Sequence, residues 1–249
     1  MILLYHKIDF QWEIHPSRVS PALFQKHMDI LYEEGYHVVP LCEYIHCENE
    51  KYASITFDDG YRNVYEYAFP IMEKYGFRGT VYMPTAYIGK ENDWDVNIGG
   101  KKFFHLSEKE IEELSSFNWE ISSHGMDHQS FFTLNDDELL FQLKKSREMI
   151  EQITKKNAPG ISYPFGHYNK KIIEMSQKVY KYGAAVKCFS KGKYKISRIP
   201  VYSFDLPLFF HWKIKNVFLI SFFYSFWGWL SFLFTFGSVI VRKMKKLNF

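Results

Sequence analysis

A barrel of parallel strands wrapped by helices is the architecture this sequence predicts, and three observations predict it. Strand-like and helix-like patterns alternate along most of the chain, the signature of βα units around a parallel sheet. The 249 residues suffice for one such barrel, because single cores stop growing near about 250–300 residues. The residues with the clearest chemistry end predicted strands, which is where parallel barrels carry their sites.

The elements follow in order. Met1-Ile2-Leu3-Leu4-Tyr5 is an apolar run that reads as the first strand. Ser20-Pro21 is an N-cap with proline at the first helical position, ahead of Leu23, Phe24, His27, Ile30 and Leu31 at helical spacing, and Gly35 ends that helix. Residues 36–39 and 52–57 read as strands, the second stopping at Asp58-Asp59-Gly60. A helix over 61–75, closed by Gly76, precedes a strand over 79–83, a helix over 107–114 and a strand over 119–123. Asn135 and Glu138 form a capping box that opens a long amphipathic helix to about residue 153. A strand over 160–163, a helix over 169–180 and strands over 183–186 and 196–201 complete the alternation. The one long loop, residues 91–102, carries Gly99-Gly100.

Composition excludes some functions. A net charge of +3, with no basic stripe interleaved with aromatics in the body of the chain, gives no footprint for nucleic acid. The three cysteines, Cys42, Cys47 and Cys188, are odd in number and form no C-x-x-C, so no disulfide framework is expected. The opening apolar run is too short for a signal peptide and meets His6-Lys7 at once. The sequence therefore predicts a barrel that begins at residue 1 and stays on the cytoplasmic side of the cell membrane.

Three short segments carry the chemistry. In Thr56-Phe57-Asp58-Asp59-Gly60, neighbouring carboxylates at a strand end diverge, so one can bind metal while the other faces substrate. Gly60 lets the backbone turn beside them. His124 and His128, four residues apart, come to one face if the segment turns helically, and with Asp59 they make a His-His-carboxylate set with open positions. Such a set suits a hydrolytic divalent ion. The third segment, Ser162-Tyr163-Pro164-Phe165-Gly166, ends another predicted strand.

These segments, in this order, make the sequence resemble the polysaccharide deacetylases, carbohydrate esterase family four. The resemblance covers roughly residues 1–205, and Leu4-Tyr5-His6 with Arg198-Ile199-Pro200-Val201 is similar to the branch that deacetylates poly-N-acetylglucosamine. It implies a distorted (β/α)7 barrel, a metal, Zn2+ in the first instance, on Asp59, His124 and His128, and Asp58 as catalytic base. It further implies an N-acetylated glycan or lipid-linked sugar as substrate. The third segment lacks the family's arginine; Arg198 is the candidate to hold Asp58 in its place. No Leu-x-His stands near the C-terminus, so His6, and after it His167, are the candidates for the general acid. Tyr163, through its backbone N–H, and Pro164 and Gly166 are placed at the substrate carbonyl. Other readings stay open: a deformylase or O-acetyl esterase on a lipid-linked sugar, or a catalytically silent scaffold of polysaccharide synthesis at a membrane.

The tail stands apart from the barrel, which the sequence bounds at residues 1–210, with a membrane-associating segment over 211–249. No charged residue occurs from Asn216 to Val241, a run of 26 positions, beyond the about 20 that cross a bilayer. Ten aromatics lie between Phe218 and Phe236. Lys213 and Lys215 flank one end and Arg242, Lys243, Lys245 and Lys246 the other, and Trp227-Gly228-Trp229 sits at the middle, where a spanning helix would bury tryptophan in hydrocarbon. The expectation is a re-entrant or interfacial anchor broken at Gly228, with both basic ends in the cytoplasm.

Overall fold

The structure, a computed structural model, describes residues 1–10, 16–93, 102–186 and 192–216. The tail beyond residue 216, the centre of the 91–102 loop and Cys188 lie outside the described residues. The chain begins with β1 (Ile2–Tyr5), β2 (Lys7–Ile8), β3 (Arg18–Val19), α1 (Pro21–Glu33), β4 (His37–Val38), α2 (Leu41–Tyr44) and β5 (Tyr52–Phe57). A π-helical turn (Val64–Ala68) runs into α3 (Phe69–Glu73), followed by β6 (Thr80–Met83), α4 (Glu108–Ser116), β7 (Glu120–Ser123) and α5 (Asp136–Thr154). The rest is β8 (Gly160–Ser162), α6 (Lys170–Gln177), β9 (Tyr182–Ala185), β10 (Ile196–Ser197), β11 (Ile199–Pro200) and α7 (Pro207–Lys215).

All strand pairs are parallel. Around the barrel the order is β1, β5, β6, β7, β8, β9, and then one bent segment closes the ring. Its first half, β10, pairs with β9 (Ile196 opposite Ala184); its second half, β11, pairs with β1 (Ile199 opposite Leu3). Counting that segment once gives the seven staves of a nearly closed (β/α)7 barrel. Arg198 is the residue between the halves, where the segment changes partners.

Strand alternation sorts side chains to two sides. Leu3, Tyr5, Ile55, Phe57, Val81 and Ile121 pack outward against Phe24, Met28, Leu31, Met72 and Leu114 of the helices. Tyr82, Tyr182 and Ala184 form a separate buried cluster with Leu41. Glu120, buried at the start of β7, accepts hydrogen bonds from Tyr182, Ser122, Thr80 and the Cys42 N–H. On β5, Thr56 and then Asp58 share a face two residues apart, which carries Asp58 inward at the strand's C-terminal end.

Local signals placed most helices. The Ser20 hydroxyl caps α1 on the Leu23 N–H, and Asn135 with Glu138 forms the capping box of α5. Ser107 and Glu110 form a second box on α4, which the pattern reading missed. The helix predicted over 61–75 differs: its first part is a π turn in which the Phe69 N–H reaches the Val64 carbonyl. Pro70 comes next and has no N–H to continue an α ladder, so a wider turn before it is the accommodation. α7 runs through residue 210, where the sequence puts the end of the barrel, and turns Phe210, Lys213 and Ile214 inward. Among the described residues no helix is long and apolar enough to cross a membrane.

Candidate active site

The C-terminal ends of β1, β5, β7 and β8 deliver His6, Asp58-Asp59, His124 and Tyr163-Pro164 to one end of the barrel. Asp59 turns away from the ladder with φ of 68°, and Gly60 follows with φ of 59°. A side chain at Gly60 would meet Met83 Sδ at 2.3 Å, so this turn requires glycine both for its backbone and for the close approach. His128 also holds a left-handed φ, 54°. Two of the three predicted metal ligands thus occupy a conformation that L-residues seldom adopt, a cost that clusters at functional sites.

Asp59 Oδ1 lies 3.4 Å from His124 Nε2 and 3.2 Å from His128 Nε2. One ligand atom from each of the three residues falls within 4.8 Å of the others. His124 Nδ1 is 2.8 Å from the Ser162 carbonyl, which can only accept, so Nδ1 carries a proton and Nε2 is the nitrogen turned toward Asp59. Burial pushes the Asp59 carboxyl up, but hydrogen bonds to both imidazoles outweigh it and hold the carboxyl well below its ordinary range. Burial likewise pushes His124 down, and the Asp58 charge and the Asp59 contact reverse that and raise it. A buried carboxylate and two imidazole nitrogens converging in this way call for a cation, and the donor set fits a divalent first-row metal.

Asp58 faces the other way. Arg198, fully buried, grips it with both terminal nitrogens: Nη1 to Oδ1 at 2.7 Å and Nη2 to Oδ2 at 2.7 Å. Its remaining N–H groups donate to Thr56 Oγ1 (3.3 Å), Ser162 Oγ (2.8 Å) and the Ala185 carbonyl (3.3 Å), so all five donors are used. The Ser162 hydroxyl itself donates to Asp58 Oδ2 at 3.1 Å. Burial pushes the Asp58 carboxyl up, but Arg198 overcomes it and holds the group below its ordinary value of 3.8. The cation missing at Ser162 is thus supplied by Arg198 from the closing segment, two staves away.

His6 stands at the end of β1 and acts electrostatically on both Asp58 and Asp59, lowering each. His167 lies farther along the third segment, stacked on Phe132 with ring centroids 5.3 Å apart and within 3.4 Å of Ser130 Oγ. The backbone of the residues expected at the substrate carbonyl is otherwise engaged. The Tyr163 N–H donates to the Ala184 carbonyl at 3.2 Å, because strand pairing continues one residue past β8. Pro164 has no N–H, and the Gly166 N–H donates to the Tyr163 carbonyl at 2.8 Å. Phe165, which the sequence reading did not single out, is the residue of this segment whose N–H stays available. Its φ is 59°, its ring lies 4.7 Å from that of His128, and among the described residues its N–H has no partner. The signal was available: it is the first N–H after the proline that ends the ladder.

The family model for polysaccharide deacetylases matches residues 46–183, more than half of the chain and all three segments. The chain belongs to the polysaccharide deacetylase family. This family member is 29% identical over 211 residues to YxkH of Bacillus subtilis (strain 168), with 80% of this chain and 70% of that protein covered. It is 26% identical over 186 residues to poly-beta-1,6-N-acetyl-D-glucosamine N-deacetylase of Staphylococcus aureus, covering 69% of this chain and 62% of the relative's length. Its fold superposes on BC0361, a polysaccharide deacetylase from Bacillus cereus, with a TM-score of 0.74 at 26% identity, covering 86% of this chain and 68% of the other. The deacetylase match does not reach His6 or Arg198, which lie on either side of residues 46–183.

Proposed function

We propose that this chain is a metal-dependent hydrolase that removes the N-acetyl group from N-acetylglucosamine units of a glycan or a lipid-linked saccharide. The observation that carries the reading is the pairing of two buried sites: Asp58 clamped by Arg198 and Ser162, beside the cation-seeking set of Asp59, His124 and His128. The S. aureus relative, named for N-deacetylation of poly-beta-1,6-N-acetyl-D-glucosamine, supports the substrate class.

A divalent ion, Zn2+ in this reading, bound to Asp59, His124 and His128 supplies Lewis acidity that brings the pKa of water from about 16 toward about 7. Asp58 accepts the proton of the attacking water. Its Oδ2 is occupied by Arg198 and Ser162 and its Oδ1 by Arg198 alone, so one lone pair on Oδ1 remains to take that proton. The hydroxide oxygen bonds to the acetyl carbon, and the Phe165 N–H donates to the oxygen that becomes negative. His6 gives a proton to the nitrogen as the C–N bond breaks, leaving acetate and a free amine. Arg198 fixes Asp58 throughout and keeps it ionised until it takes that proton. The site of action in this reading is the cytoplasmic face of the cell membrane, with the chargeless tail as anchor.

Purified protein incubated with N-acetylglucosamine oligomers, with and without a chelator, is the direct test. Acetate and free amine in equal amounts, lost on chelation and restored by Zn2+, are expected. Turnover of O-acetyl or N-formyl sugars alone would replace the reading, and chelator-resistant turnover would remove the metal from it. Replacing the Phe165 amide by an ester should lower kcat by about 10²–10³ with little change in metal content; unchanged kcat would return the oxyanion to another donor.

A further inference from the structure

Eleven large apolar side chains are exposed among the described residues, and five of them fall within nine consecutive positions: Phe204, Leu206, Leu208, Phe209 and Trp212. Leu208 is 87% exposed and Leu206 61%. The other six are scattered over separate elements, as is ordinary on a soluble surface. A contiguous patch of this kind marks an interaction surface.

α7 is fixed rigidly beneath that patch. Lys213, buried, donates to Asp205 Oδ2 at 2.7 Å and to the Pro200 carbonyl at 2.6 Å. His27 of α1 donates from Nε2 to the Asp205 carbonyl at 2.7 Å, and its ring stacks on Phe210 at 3.9 Å. The inward face joins these polar anchors to the buried Phe210 and Ile214, while Leu208, Phe209 and Trp212 are exposed on the outward face beside His211 and Lys215. A water-facing helix surface ordinarily carries polar residues in place of such large apolar ones. The only acidic residue from Phe204 to Asn216 is Asp205, and it is buried. Glu34 of α1 comes near only at the far end, where it pairs with His211 and Lys215.

Which occupant suits this face follows from the chain beyond it. One residue after α7 begins the chargeless run from Asn216 to Val241, long enough for about 20 residues of hydrocarbon. A face made of Phe, Leu and Trp, adjoining such a run, has the composition of a membrane interface. We propose that Phe204, Leu206 and the outward face of α7 dock on a phospholipid monolayer and hold the barrel on its side. Phe204 and Leu206 follow β11, at the end of the barrel where Asp58 and Asp59 sit, so the rim of the mouth meets the headgroup layer. A substrate presented from the membrane then enters without leaving the surface. The inference rests on the membrane reading of the tail and is independent of the reaction catalysed.

The test uses the full chain in vesicles of phosphatidylethanolamine and phosphatidylglycerol, with Cys42, Cys47 and Cys188 replaced by serine. A nitroxide is placed at Leu208→Cys or, as reference, at Phe141→Cys, an exposed position on α5. Collisions with oxygen should rise several-fold, and collisions with a polar nickel chelate fall several-fold, at 208 relative to 141. Vesicle-bound protein with equal nickel access at both positions would overturn the docking face and leave the tail anchor standing. Protein that does not bind vesicles would overturn both. A 208 label shielded from both reagents and broadened by a second label would show a protein partner and overturn the lipid assignment.

Discussion

Arg198 and Asp58 are separated by most of the chain and form one device. The guanidinium lowers the carboxyl, so Asp58 adds to stability above its ordinary value of 3.8, and that contribution is lost as pH falls through the lower folded value. Arg198→Met strands a buried carboxylate and should cost about 3–5 kcal/mol of stability. With the cation gone, burial acts on Asp58 with less opposition, so the acidic limb of the kcat/KM profile should move to higher pH. Denaturant titration and a pH–rate profile together check this; a stable variant with an unmoved limb would show that Arg198 is only packing. Lysine should not rescue, because it cannot make the two-nitrogen grip. Asp58, Asp59, His124 and His128 were legible because their chemistry is written in short local segments. Arg198 was legible only as a candidate, since nothing in one sequence states which distant cation will reach a carboxylate. Phe165 was passed over because the sequence reading placed the backbone donor at Tyr163, and only the bond to the Ala184 carbonyl shows that N–H to be taken.

Strands and helices were more legible than their edges. Each stave ends where backbone bonds end, and those depend on the neighbour: Tyr163 continues the ladder because the Ala184 carbonyl is there to accept its N–H. The closing strand was read as one run over 196–201, whereas it divides at Arg198 to serve two partners, a fact of barrel geometry with no sequence period. The β5–α3 connection shows how tightly an element can constrain a site. Gly60→Ala meets both a positive φ and the Met83 sulfur, and the expected loss is about 1–3 kcal/mol, softened only if the Met83 side chain moves. Because Asp58 and Asp59 precede it directly, Zn2+ affinity measured calorimetrically should weaken in the same variant. Full stability with native affinity would mean that the turn tolerates a side chain after all.

At the scale of the whole molecule, α7 and α1 are held to the barrel through a buried histidine. The Tyr5 hydroxyl is 3.0 Å from His27 Nδ1, and burial pushes His27 down to about 4 from 6.5. A neutral folded imidazole that the unfolded chain would protonate makes the protein less stable as pH falls from 6.5 to about 4, by up to about 3 kcal/mol. The loss begins above the range in which Asp58 titrates, so the two are separable. Urea titrations across that interval should show the decline in the wild type and a flatter curve in His27→Gln; parallel curves would place the acid sensitivity elsewhere. The closing strand has a further consequence. Chains emerge from synthesis with their N-terminal parts first, so Asp59, His124 and His128 are all available before the segment that pairs β9 with β1. Arg198 lies in that segment, and the ring cannot close without bringing it to Asp58. On the function proposed above, a growing polypeptide would gather Asp59, His124 and His128 while Asp58 is still unclamped. Competence would arrive with the last stave, and the half-made protein would bind metal before it could hydrolyse.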